Sequence, residues 1–121
     1  MIKKFEYDFE KLDVYQKTLS LIDEIFKIVN NLPNEYKYSI GNNLIRAGLS
    51  VANNIAEGND KTSNKERNRF LSISSDSARE CVSVFIILKK QNILEEDKFW
   101  RLKNLTREIT SMLRGLKRYN S

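Results

Sequence analysis

The fold is read from Leu44-Ile45-Arg46-Ala47-Gly48-Leu49-Ser50-Val51-Ala52-Asn53-Asn54-Ile55-Ala56-Glu57-Gly58. Leu44, Ala47, Val51 and Ile55 recur every three or four residues, the spacing of one helix face, and Tyr36 and Ile40 carry the stripe back towards Pro33. Ile45, Leu49, Ala52 and Ala56 add a second apolar row beside it. Gly58, followed by Asn59-Asp60, is read as the stop. Upstream, Leu32-Pro33-Asn34 separates this helix from an earlier one, because proline disfavours helical geometry in the residue before it and suits the first turn of the helix after it.

The same reading extends to both ends of the chain. Asp13 is expected to cap a first helix whose stripe is Tyr15, Leu19, Ile22, Phe26 and Val29. Ser63-Asn64-Lys65-Glu66 fits a capping box and opens a third helix, running through Phe70, Ile73, Ser77, Cys81, Val84 and Leu88 to a stop at Asn92. Glu95, Glu96 and Asp97 suit the positive end of a fourth, which carries Trp100, Leu105, Ile109, Met112, Leu113 and Leu116 and ends at Lys117 and Arg118. The spacing thus predicts helices over about 13–31, 34–57, 64–91 and 95–118. No period-two strand pattern appears, and short connections make an antiparallel up-down-up-down four-helix bundle the economical all-α architecture.

Composition bounds the function. A chain of 121 residues with 40% hydrophobic content supports one core, so residues 1–121 are read as a single domain. The longest uncharged apolar run, Cys81 to Leu88, is far short of the ~20 residues of a membrane span, and the N-terminus lacks an apolar leader, which places the protein in the cytoplasm with no membrane partner. A lone cysteine and no histidine point away from disulfides, metal sites and most acid–base chemistry; no cofactor is expected. Net charge is +5. Segments 59–92 and 93–121 each carry seven positive and four negative charges, whereas the first 58 residues are close to balanced, so the excess lies in the C-terminal half.

Two features exceed a generic bundle. Ser72, Ser74, Ser75, Ser77 and Ala78 are poor helix formers that permit close backbone approach, read chiefly as a tight helix crossing rather than a ligand site. Leu21, Ile25, Ile28, Leu71, Phe85 and Ile86, with the second row of the second helix, exceed one inward stripe. Self-association or a wide core would each account for them.

The run from Leu44 to Gly58 resembles the L-R-R-A-x-S-I-x-x-N-I-A-E-G signature of the 23S rRNA-intervening sequence protein family. Phe9, Leu12, Val14-Tyr15-Gln16, Leu32-Pro33, Glu35, Glu66, Arg69-Phe70-Leu71, Ser77 and Glu80 extend the resemblance over about residues 9–115. Ile45 departs from it, standing where the family usually has a second arginine. The resemblance implies a four-helix bundle that assembles as a homopentamer, and a likeness to the accessory protein of diversity-generating retroelements, whose basic pentamer binds nucleic acid and a reverse transcriptase. It implies no enzyme.

Candidate residues follow from charge. Lys98, Arg101, Lys103, Arg107, Arg114, Lys117 and Arg118 on the fourth helix, with Lys61, Lys65, Arg67 and Arg69 at the start of the third, form partial stripes able to meet phosphates; a solvated face is the plainer alternative. Arg46, Asn54, Glu57 and Glu80 are read as a structural polar cluster in which Arg46 bonds Glu80 or Glu57 and Asn54 satisfies backbone groups near a turn. Glu57 and Glu80 as an acid–base pair lack a nucleophile, a metal set or an oxyanion donor, so no catalytic residue is assigned. The resulting expectation is a non-enzymatic oligomer, its partners itself, RNA or DNA and a protein; the rival is a protein-interaction scaffold with no nucleic-acid role.

Overall fold

The computed structural model describes residues 1–121. Four long helices, α1 (Asp13–Asn30), α2 (Asn42–Asn59), α3 (Asn64–Lys90) and α4 (Glu96–Tyr119), account for most of the chain. Each packs against its neighbour in sequence, and α4 returns to α1, closing an all-helical four-helix bundle without strands. The helix expected from 34 onward is continuous but irregular: a helical turn, Asn34–Tyr36, passes through a π turn, Lys37–Gly41, before α2 proper. Gly41 is buried there, and a Cβ on it would stand 3.0 Å from Val29 Cγ1.

The ends are set by local chemistry. Ser63 Oγ accepts the Glu66 N–H at 3.1 Å, as the capping box requires, while the Glu66 carboxylate turns to Arg69. Asn92 adopts φ 60°, and the Ile93 and Asn92 N–H groups donate to Leu88 and Lys89 carbonyls, so asparagine closes a Schellman motif where glycine is commoner. Asp13 is not the cap of α1. A 3-10 turn at Asp8–Lys11, held by the Tyr7 N–H donating to Glu10 and by Gln16 Nε2 donating to the Glu10 carbonyl, delivers Leu12 in extended geometry to the cap position, and Asp13 becomes the first helical residue.

Burial corrects three stripes. In α1 the core takes Val14, Thr18, Leu21, Ile25, Ile28 and Val29, while Leu19 and Phe26 are exposed. An apolar-rich helix offers overlapping stripes at the same period, and the buried one includes Thr18 because its hydroxyl donates to the Val14 carbonyl at 2.7 Å. In α3, Leu71 and Phe85 are buried where Phe70, Ile73 and Val84 were expected to lead. In α4, Phe99 and Leu102 replace Trp100, and Thr106 is buried with its hydroxyl donating to the Leu102 carbonyl at 2.8 Å. The α2 stripe of Leu44, Ala47, Val51 and Ile55 is buried as read. Each large buried side chain contributes about 1.5–3 kcal/mol.

The helix ends at Asn59, one residue past the expected stop, but Gly58 does not end it by left-handed geometry. It lies inside α2 and is buried, and a Cβ there would meet Phe70 Cβ at 3.0 Å and the Arg67 carbonyl oxygen at 3.3 Å. Gly48 plays the same part against α1, where a Cβ would stand 2.8 Å from Ile25 Cδ1. The serine run of α3 completes the α2–α3 seam: Ser74 Oγ donates to the Val51 carbonyl at 2.8 Å and Ser77 shares a 2.7 Å hydrogen bond with Ser50. Ser74 and Ser77 therefore serve a helix crossing. No helix is long and apolar enough to cross a membrane.

Candidate nucleic-acid interface

The eleven basic candidates separate by what their side chains touch. Lys61 is half-buried against Glu57 at 3.6 Å, and Arg67 Nε donates to the Lys61 carbonyl at 2.6 Å. Arg69 pairs with Glu66 at 3.2 Å and lies 4.4 Å over the Phe70 ring, and Lys98 crosses to α1 to meet Glu24 at 2.9 Å. These four hold the bundle's own surface together. Lys103 sits over Trp100 at 4.8 Å with no carboxylate partner. Lys65, Arg101, Arg107, Arg114, Lys117 and Arg118 make no ion pair.

Helical register places Lys103, Arg107, Arg114 and Arg118 on the flank of α4 that faces α3, at steps of four, seven and four. Asn68 Nδ2 donates to the Lys117 carbonyl at 3.2 Å, and Asn120 Nδ2 to Asn68 Oδ1 at 3.1 Å, tying the start of α3 to the end of α4. Midway along this seam a groove of about 340 Å³ opens between the helices. Arg79 and Ser83 line it from α3 and Arg107 and Thr110 from α4, with Val82, Ile86 and Thr106 completing the wall. Neither arginine has an ion-pair partner, and no carboxylate lines the groove. Two like charges facing one cleft raise its positive potential.

Arg79 is not among the candidates read from the sequence, because it stands alone in the middle of the third helix, away from the basic clusters at its start and on the fourth. The signal was present: Ser72, Arg79, Ser83 and Ile86 fall on one flank of the third helix, turned away from Ser74 and Ser77, which face the second.

The expected polar cluster does not form. Arg46 is exposed and donates to Asn43 Oδ1 one turn back, Glu57 pairs with Lys61, and Glu80 is exposed, so none of the three is buried and the cost that was to drive them together does not arise. Asn54 Nδ2 donates to the Ser50 carbonyl at 2.8 Å and to Ser50 Oγ at 3.1 Å, within α2 rather than at a turn. Burial, with the nearby Glu80 charge, pushes the Cys81 thiol up to about 12, which keeps it protonated and unreactive. No group of His, Cys, Asp and Glu is arranged to hold a metal ion.

On the opposite side, where α1 meets α2, Ile22 lies against Gly48, and Leu19, Phe26 and Leu49 reach solvent at 36%, 44% and 42% exposure beside half-buried Ile45. Leu19, Ile22 and Phe26 belong to the core stripe expected of the first helix, and Ile45 and Leu49 to the surplus apolar positions of the second; with Leu21, Ile25 and Ile28 taking the core instead, they form one outward face.

The chain is similar to a crystal structure of a protein of unknown function from the S23 ribosomal protein family of Bacteroides thetaiotaomicron, with a TM-score of 0.79 at 23% identity, covering 87% of this chain and 95% of that one. At that identity the likeness is one of fold. No curated protein sequence matches. The family model for the 23S rRNA-intervening sequence protein matches residues 10–115, the α1-to-α4 span whose seams and faces are described above, and the chain belongs to that family.

Proposed function

We propose that this protein is a non-enzymatic, cytoplasmic, oligomeric helical bundle that binds RNA or DNA through the phosphates, using the α3–α4 side. The observation that carries the reading is the groove lined by Arg79 and Arg107 with no carboxylate, continued along α4 by Lys103, Arg114 and Arg118. Surface cations neutralised within the chain cannot release counterions from a phosphate strand; these can. Assembly runs through the apolar α1–α2 face, leaving the basic side outward, and the family resemblance supplies the expectation of five copies. Repetition around a ring multiplies the field of each groove and adds avidity.

Size-exclusion chromatography with light scattering, followed by anisotropy titration with RNA and DNA, tests the reading. An oligomer whose affinity falls about 10³-fold between 50 and 200 mM salt is the expected result for several phosphate contacts. An oligomer that binds neither strand at low salt overturns it. That outcome favours the second reading, a protein-docking scaffold, for which the exposed N-terminal aromatics Phe5 and Tyr7, at 75% and 61% exposure, supply a surface.

A further inference from the structure

Resting on the phosphate-binding reading, we infer that the α3–α4 groove seats one phosphodiester group of a nucleic-acid strand between Arg79 and Arg107, making Arg79 a binding residue. The two guanidinium groups come from different helices, are exposed, and have no acceptor within the chain. A planar fork of donors matches a phosphate better than a point charge does, and two forks facing one cleft surround a single anion.

The hydroxyls divide the work. Thr106 and Thr110 donate to the Leu102 and Arg107 carbonyls at 2.8 and 3.0 Å, so they offer the groove lone pairs and cannot bind an anion. The donors left are the two arginines and the exposed Ser83 hydroxyl. About 340 Å³ lies at the lower end of ligand-sized clefts, roughly 300–1,000 Å³, which suits a phosphate with its attached sugar. Ile86, at 46% exposure, gives that sugar an apolar wall. Arg114 and Arg118 lie further along the same flank of α4 and meet the strand as it leaves the groove.

The test uses the whole chain and labelled 20-nucleotide single strands of RNA and DNA of one sequence, with duplex DNA as a third probe, titrated across salt. Arg79→Gln/Arg107→Gln is compared with Arg114→Gln/Arg118→Gln and with Lys3→Gln/Lys4→Gln, which removes two charges from the N-terminal segment. The groove pair is expected to weaken binding at least tenfold and to flatten the salt slope by about 0.7–0.9, as for one lost phosphate contact. Lys3→Gln/Lys4→Gln stays within twofold, and Arg79→Lys/Arg107→Lys, which keeps charge and loses the forks, falls between. The strand whose affinity drops identifies the source of the phosphodiester.

If the groove pair binds like wild type with an unchanged slope while Arg114→Gln/Arg118→Gln weakens, the groove inference fails and the phosphate-binding reading stands. Equal losses for the groove pair and for Lys3→Gln/Lys4→Gln also overturn it, since net charge alone then explains both. Wild-type protein that binds no strand at 50 mM salt overturns the broader reading and the groove with it. Circular dichroism melts confirm that each variant is folded; should the glutamine pair melt early, the lysine pair, which preserves the surface charge, decides the matter by its loss or retention of affinity.

Discussion

Along the α1–α2 side the positions flanking the core are aliphatic and aromatic, and Leu19, Phe26 and Leu49 reach solvent; along the α3–α4 side Val82 and Ile86 share the flank with Arg79, Ser83, Arg107 and Thr110. The inward stripes are built mainly of Leu, Ile, Val and Phe; in α1 and α4 a buried threonine bonds its own helix, and in α3 Ser74 and Ser77 bond across to α2. A bundle needs only that stripe. Its flanks are therefore free to differ, and here Arg79 and Arg107 enter the α3–α4 flank.

The strongest way to break this contrast is to place charge on the apolar side. Phe26→Asp/Leu49→Asp is expected to reduce the assembly to a monomer of 14.2 kDa by light scattering, with helicity retained because both side chains lie outside the core. Nucleic-acid affinity should fall about 100-fold although no cation is touched, through lost avidity alone. An unchanged mass would assign the apolar face to something other than self-association.

Next in size is the seam joining the two sides. Gly58→Val forces a branched side chain against Phe70 Cβ and the Arg67 carbonyl, and backbone cannot yield as a flexible side chain can. Denaturant unfolding should show a loss of about 1–3 kcal/mol, with oligomer mass and salt slope unaltered while the chain is folded. Ser74→Ala removes the hydroxyl that donates to Val51 and is expected to cost about 1 kcal/mol by the same measurement. If either change also altered the salt slope, the two sides would be coupled through α2 and α3 rather than separately specialised.

How much of this was legible follows from which signals are local. Ser63, Asn92 and the α2 stripe read correctly because capping and period depend on neighbours in sequence. The α1 stripe failed because Leu19, Ile22 and Phe26 have the same period as Leu21, Ile25 and Ile28, and only the packing of α1 into the whole bundle decides between them, Gly48 touching one residue of each. Gly58 read as a stop because glycine's backbone freedom is visible in sequence and its close contact with Phe70 is not. The Arg46 cluster failed for the complementary reason: polar residues in a familiar run suggested burial, whereas the fold leaves Arg46, Glu57 and Glu80 at the surface. Cation counts located the basic half, yet Arg79 belongs to the groove only because α4 returns beside α3.

Lys98 gives the smallest and most discriminating test, since it is a basic residue of α4 that faces α1 and not α3. Its ammonium, 2.9 Å away, is the partner of the buried Glu24 Oε2, and it holds that carboxyl below the ordinary 4.5, with lesser help from Lys27 and Arg101 against the opposing effect of burial. A carboxyl whose folded pKa is depressed adds stability that is present above its unfolded value and lost as pH falls through 4.5 towards the folded one. Lys98→Met should therefore lower stability by roughly 0.2–1 kcal/mol at pH 7, as for a partly exposed pair, and flatten the stability loss below pH 4.5 followed by chemical denaturation. Its nucleic-acid affinity and salt slope should match wild type. A lysine that changes the acid limb and leaves phosphate binding intact, set beside arginines that do the reverse, makes position on the bundle rather than membership of a basic helix the property that defines the interface; a Lys98→Met slope as flat as that of Arg79→Gln/Arg107→Gln would mean that net charge, and no particular side, attracts the strand.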